Sequence, residues 1–270
     1  MTIPNFERST YFYRDVLGLT LLRQESHTAH LGAGDRELLV LVEEPEAQRP
    51  PYRSPGLYHL AIRVPSRLEL AHALYRLVKA NSPLQGFADH GVSEAIYLAD
   101  PDGNGIEIYR DYPPSDWPYR NGQLQMVTDP LDVESLLSEL RNGSNPHPPA
   151  MHPETVLGHI HLKVSDINQA QDFYCRVLGF DLVQRYGPSA CFVSAGGYHH
   201  HIGMNTWESA GAPPPPEGST GLRYFSVRLP DSQELARVLA SVRAAGLPAH
   251  KQGSGFLVRD PSQNGVFLTI

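Results

Sequence analysis

Cysteine is nearly absent: Cys175 and Cys191 are the only two in 270 residues. That is too few for a disulfide framework, and Cys175, inside a helical pattern, is expected as a buried free thiol. Basic charge is also short. The formal net charge is −7, which excludes a general nucleic-acid binder, since that function needs a basic face. No apolar run approaches a membrane span, and the opening MTIPNFERS has no apolar signal core. These absences read together as a soluble cytoplasmic protein with no nucleic-acid or membrane partner. Histidine is the exception in the other direction, with 13 copies. A hydrophobic fraction of 41% over this length suits two ordinary domains, each with its own core.

The chain repeats itself. FYRDVLGL at Phe12–Leu19 returns as FYCRVLGF at Phe173–Phe180, an offset of 161. GLYHLAIRVP at Gly56–Pro65 returns as GLRYFSVRLP at Gly221–Pro230, offset by 165, and DPDGNGIEI at Asp100–Ile108 returns as DPSQNGVFL at Asp260–Leu268, offset by 160. Three landmarks in one order at nearly one spacing mark a tandem duplication. Each copy divides again into modules of about fifty residues.

The module beginning near Gly158 shows the plan. His159 to Val164 alternates polar and apolar, as a half-buried strand does. Asp166 is placed to cap a helix, with Gln169 at capping-box spacing. Ile167, Ala170, Tyr174 and Val177 fall on one helical face, and Gly179 follows as the stop. Strand patterns over Asp181–Arg185, Ala190–Ser194 and His199–Asn205 complete a strand-helix-three-strand unit. The modules at Gly56–Tyr112 and Gly221–Ile270 repeat it. The first module has almost no opening strand: aligning Tyr13 with Tyr174 puts Leu162 on Met1, so counterparts of His159 and His161 fall before Met1. A start assigned too late, or a lost sheet edge, accounts for this. Such an edge would favour self-association into a homo-oligomer.

Between the copies lies a Pro- and Gly-rich connector. Val133, Leu136, Leu137 and Leu140 form a helical stripe within it, capped by Asp132 and ended by Gly143. The run Pro213–Pro216 marks a stiff loop. The expected layout is therefore a first domain over 1–112, a connector over 113–155 with a helix near 132–141, and a second domain over 156–270. The fold class is α+β, with each pair of modules forming a curled open sheet around a cavity.

Alternation also assigns faces. His59 stands opposite in phase to Leu60, Ile62 and Val64, and Glu107 opposite to Ile106 and Ile108. With the apolar faces against the helices, His59 and Glu107 both point into the cavity. An imidazole and a carboxylate on one face make two-thirds of a facial triad for Fe(II) or another divalent ion. The third ligand is expected from the strand that opens module one. Each residue also has an ordinary structural reading: cavity-lining histidine for His59, solvated strand residue for Glu107, core aromatic for Tyr97. His27, His30 and His90 lie in loop or edge patterns and read as surface residues.

The repeated unit, with FYxxVLG after its first helix and DPxGNxxE before its last strand, resembles the vicinal oxygen chelate superfamily of glyoxalases, extradiol ring-cleaving dioxygenases and bleomycin-resistance proteins. The two-domain layout and the run GGYHHHIGMNTW are most similar to its catechol 2,3-dioxygenase-like branch. The resemblance implies Fe(II)-dependent extradiol cleavage of a catechol-like aromatic with O2, with Mn(II) as the alternative metal. It implies His59 and Glu107 as metal ligands, Tyr97 ten residues before Glu107 as a catalytic group, and His200 as an assisting imidazole. Alternation instead favours His199 and His201 on the polar face of that stretch. The second copy departs from the pattern, with Tyr224 and Phe267 at two ligand positions and His159 at the first. Counted copy by copy, neither half carries a full triad. That count keeps open a form crippled by N-terminal truncation, a metal-free small-aromatic binding protein of the bleomycin-resistance type, and a glyoxalase-like lyase or isomerase.

Overall fold

The computed structural model describes residues 1–142 and 148–270. Gly143, the expected stop of the connector helix, lies outside the described residues. The chain divides into two compact units, residues 1–48 with 59–159 and residues 49–58 with 160–270.

In the first copy of the repeat, module one runs β1 (Thr2–Ile3), α1 (Phe6–Tyr11), β2 (Thr20–Glu25), β3 (Thr28–Ala33) and β4 (Arg36–Glu43). Module two runs β5 (Gly56–Arg63), α2 (Arg67–Lys79), β6 (Leu84–Asp89), β7 (Ser93–Ala99) and β8 (Gly105–Asp111). The strand orders are β1-β4-β3-β2 and β5-β8-β7-β6, with β1 parallel to β4 and β5 parallel to β8. The opening strand, β1, is only two residues long. After module two come a short hairpin, β9 (Tyr119–Arg120) with β10 (Gln123–Leu124), and the helix α3 (Val133–Asn142). Asp132 Oδ1 accepts from Ser135 N at 2.9 Å, so the expected N-cap is present.

The second copy of the repeat follows the same plan. Its third module runs β11 (Val156–Lys163), α4 (Ile167–Asp172), β12 (Asp181–Tyr186), β13 (Ala190–Ser194) and β14 (Ile202–Asn205). The fourth runs β15 (Phe225–Arg228), α5 (Ser232–Ala244), β16 (His250–Gln252), β17 (Gly255–Arg259) and β18 (Gly265–Thr269). Strand orders are β12-β13-β14-β11 and β15-β18-β17-β16. The fold is α+β, built from repeated strand-helix-three-strand modules, as the sequence pattern indicates. No helix among the described residues is long and apolar enough to cross a membrane.

The repeated motifs have a direct structural meaning. In FYxxVLG the α-helix widens into a π-type turn, over Phe12–Val16 after α1 and over Phe173–Leu178 after α4. The turn rotates the Phe and Tyr inward: Tyr13 and Tyr174 are both fully buried. Gly18 and Gly179 then take φ of +91° and +94°, the left-handed conformation that closes a helix at little cost only for glycine. Each buried tyrosine meets the aspartate of the DP motif in the next module. Tyr13 Oη donates to Asp100 Oδ2 at 2.8 Å, and Tyr174 Oη donates to Asp260 Oδ2 at 3.1 Å. The Asn of each motif returns to the same carboxylate, Asn104 Nδ2 to Asp100 at 2.8 Å and Asn264 Nδ2 to Asp260 at 2.9 Å. Burial pushes both carboxyls up, and these donors push back. The motif is thus a latch between consecutive modules.

Apolar faces form the cores. Leu70, Ala71, Leu74 and Leu77 of α2 are buried, as are Leu60 and Ile62 of β5 and Ile106 and Ile108 of β8. In the second unit, Ile167, Ala170, Tyr174 and Val177 are buried in one cluster with Leu235, Val238 and Val242 of α5. Cys191 is buried and Cys175 partly so, both as free thiols. Burial pushes the Cys191 thiol up to about 12, so it is an inert packing group at neutral pH.

Candidate metal centre

The site stands on the opposite face of the β5-β8-β7 sheet from that core. β5 and β8 run parallel with Ala61 beside Glu107, and β7 runs antiparallel with Tyr97 beside Glu107. A two-residue period then puts His59, Ala61, Tyr97, Glu107 and Tyr109 on one face. Ala61, Ala95 and Tyr109 pack into a small buried cluster with Tyr97 against it.

His59 and Glu107 meet there, with His59 Nε2 3.0 Å from Glu107 Oε2. A third side chain joins them. His159 Nε2 lies 3.1 Å from the same carboxylate oxygen and 3.4 Å from His59 Nε2. All three residues are buried, at 7%, 2% and 7% exposure for His59, Glu107 and His159. Burial raises the Glu107 carboxyl, but the charge of His159 and the hydrogen bonds from His159 and His59 outweigh it. They hold the group well below the usual carboxylate range.

His159 is seated by its neighbours. Its ring lies 4.9 Å from that of Tyr109, centroid to centroid. Gly158 is what lets the two approach, because a Cβ there would fall 1.8 Å from Tyr109 Oη. Tyr97 stands on the other side, its ring centroid 5.8 Å from that of His59. His90 Nδ1 is 2.7 Å from the Val127 carbonyl, so in the neutral imidazole Nδ1 carries the hydrogen and donates it. His90 Nε2 then accepts from the Tyr97 hydroxyl, also at 2.7 Å. His90 is half-buried and, beyond the surface position its loop pattern indicates, is a partner of Tyr97.

The third member of the cluster departs from the sequence expectation. The side chain that stands beside His59 and Glu107 is His159, not one from the module-one opening strand, and the first unit extends through this residue. The signal was in the sequence. VLGHIHLKV aligned on GLYHLAIRV places His159 on His59, each five residues before a valine. Counting ligands within each copy hid it.

The other named residues make contacts of their own. His200 belongs to the second unit, its Nδ1 2.8 Å from His199 Nδ1 and its ring 5.1 Å from that of Phe192. His199 to His201 precede β14 as bent chain, so strand alternation does not apply to them. His199 is fully buried, His200 is 8% exposed, and His201 Nδ1 lies 3.0 Å from Ser194 Oγ. Tyr224 and Phe267, at two ligand positions of the fourth module, face each other with ring centroids 5.5 Å apart. His27 and His30 sit 2.9 Å and 2.6 Å from Glu43 and Glu37.

The model of the Glyoxalase/Bleomycin resistance protein/Dioxygenase superfamily matches residues 1–108 and 156–267. The chain belongs to this superfamily. It is 46% identical over 274 residues to a protein of Bacillus subtilis (strain 168) named catechol-2,3-dioxygenase, covering 100% of this chain and 94% of that one. Among solved structures it is similar to glyoxalase I from Zea mays (TM-score 0.60, 14% identity, 99% and 89% of the two chains). It is also similar to the cppA protein from Streptococcus pneumoniae TIGR4 (TM-score 0.58, 14% identity, 100% and 94%). At such identities the two structures speak for the superfamily fold alone.

Proposed function

We propose that this superfamily member is an extradiol-type dioxygenase that opens the ring of a catechol-like aromatic with O2 at a divalent metal, Fe(II) first and Mn(II) second. The observation that carries the reading is the convergence of His59, Glu107 and His159. Two imidazole nitrogens and one carboxylate oxygen are the donor set of a facial triad. Two ligands on one ion at about 2.1 Å and at right angles stand about 3.0 Å apart. The separations of 3.0, 3.1 and 3.4 Å fit that requirement. The 46%-identical relative named catechol-2,3-dioxygenase supports the same direction.

His59, His159 and Glu107 would hold the ion, with Glu107 supplying the one negative charge. When bound, the metal supplies Lewis acidity toward two vicinal substrate oxygens and a template for O2 beside them. The protein's own part is proton handling and exclusion of water. Tyr97, its hydrogen given to His90, meets a substrate hydroxyl as an acceptor. A proton leaving that hydroxyl for Tyr97 Oη is matched by the tyrosine hydrogen passing to His90 Nε2, and the imidazolium keeps its Nδ1 donor on Val127. Ala61, Ala95 and Tyr109 wall the ligands with buried apolar surface. His200 keeps its proposed assisting role from the resemblance.

The metal-free binding reading draws on Tyr224, Phe267 and the short opening strand; the closeness of His159 to His59 and Glu107 supports the metal reading over it. The test is anaerobic loading of the apo protein with Fe(II) or Mn(II), followed by catechol and O2 with the ring-opened product followed by absorbance. Turnover at about 1 s⁻¹ or faster, abolished by Glu107→Ala, is expected. A loaded protein that binds catechol without opening it would favour the binding-protein reading.

A further inference from the structure

Arg76 is a buried cation whose partners are carbonyl groups. It lies on α2, is 8% exposed, and donates from Nε to Leu17 O at 3.3 Å and from Nη1 to Pro148 O at 3.4 Å. Its Nη2 is buried with no hydrogen-bond partner among the described residues. Burying a guanidinium without a bonded carboxylate is costly. What it gains is a hold on two turns of chain.

One of them, the segment from Pro148 to Thr155, leads directly into β11. It is fastened at several points within the first unit. Met151 N donates to Gly18 O at 2.7 Å, and Met151 is 4% exposed. A Cβ on Gly18 would lie 3.0 Å from both Arg76 Nε and Pro149 O, and one on Gly34 would lie 3.0 Å from Pro153 Cβ. Both glycines have positive φ, +91° and +53°. Two turns of module one are thus left bare where this segment lies on them. Thr155 N then donates to His152 O at 2.9 Å, turning the chain, and Thr155 is fully buried. His159 comes four residues later.

We propose that residues 148–155 form a strap that delivers His159 to the metal centre, and that Arg76 is its positioning residue. This rests on the metal reading above and goes beyond it, since it assigns a role to groups that touch neither ion nor substrate. His59 and Glu107 sit on adjacent strands of one module and need no such device. His159 stands on β11, the strand that follows the connector, so its place depends on where the returning chain is fixed. Binding is reciprocal with that fixing: an ion that needs His159 in place must also tighten the strap.

The probe is Co(II) alone, titrated into the apo protein, with urea unfolding on each variant to confirm that it folds. Arg76→Met is expected to weaken Co(II) binding about 10-fold, the size usual for groups that orient a ligand. Arg76→Lys, which keeps the charge but loses the fork, should fall between it and the parent and serves if the Met variant does not fold. Amide exchange supplies the second readout: Co(II) should slow exchange at the Met151 amide in the parent and less so in Arg76→Met. In a His159→Ala background, Arg76→Met should cost no further affinity. Unchanged Co(II) affinity in both Arg76 variants would overturn the strap, as would an Arg76→Met loss that persists in full without His159. A parent protein that binds no Co(II) would overturn the metal reading and the strap with it.

Discussion

Replacing Gly158 by alanine perturbs the seat of His159 without touching any ligand. The new Cβ would stand 1.8 Å from Tyr109 Oη, 2.8 Å from Tyr109 Cζ and 3.1 Å from Arg63 Cβ. Ordinary contact is about 3.5–4.0 Å, so the phenol must move by well over an ångström. Tyr109 is fully buried against Ala61 and Ala95 and has no open space to move into. Overpacking of this kind costs about 1–3 kcal/mol, or roughly 2–4 °C of melting temperature per kcal/mol in a chain of this size. Because the Tyr109 ring abuts that of His159, metal affinity should fall as well. The assay is urea unfolding of the apo protein together with Co(II) titration. Tyr109→Phe removes the atom at 1.8 Å and leaves the one at 2.8 Å. The Gly158→Ala, Tyr109→Phe pair should therefore be more stable than the sum of the single changes predicts, by about 1 kcal/mol or more. A Gly158→Ala protein as stable as the parent, with parental metal affinity, would refute this account of how His159 is held.

Other outcomes follow from the same geometry. Tyr97→Phe should lower kcat by about 10²- to 10⁴-fold with metal content unchanged, and His90→Gln should shift the pH profile of kcat; a His90→Gln profile identical to the parent's would remove His90 from the relay. His200→Gln should lower turnover without altering Co(II) affinity, whereas unchanged turnover would end its proposed role. Tyr13→Phe should cost about 1.5–3 kcal/mol at pH 7, because it removes a donor to a buried carboxylate. Asp100 has a raised folded-state value, so its contribution is full below the unfolded value of 3.8 and is lost as pH rises through the folded one. The Tyr13 donor counters that loss by favouring the charged form, so the cost of Tyr13→Phe should shrink as pH falls through the Asp100 transition. A cost that grows toward acid would contradict this, and urea unfolding across pH reads it.

Much of the fold is legible from the sequence because each module carries its own local signals. Asp166 caps α4 by accepting from Asn168 N and Gln169 N, and Gly179 closes the turn that follows. The connector helix is written in the spacing of Val133, Leu136 and Leu140. The π-type turns are not legible, because FYxxVLG fits an ordinary helix as well; burial of Tyr13 against Asp100 decides between them, and that contact is 87 residues away in sequence. At the site, alternation alone places His59 and Glu107 on one face. It cannot say which strand approaches theirs, since that is a matter of tertiary pairing, and a count made copy by copy sets His159 apart from them. His90 escaped for a related reason: its loop has no period, and its role depends on Tyr97 and Val127 from two other segments.

The central claim is that His59, Glu107 and His159, drawn from both copies of the repeat, form one metal centre. Co(II) titration of the apo parent beside His159→Ala and His59→Ala tests it most directly. The account predicts one ion per chain in the parent and a loss of about 100-fold or more in each variant, beyond the range of indirect effects. A His159→Ala protein that binds Co(II) as tightly as the parent, while His59→Ala does not, would contradict it.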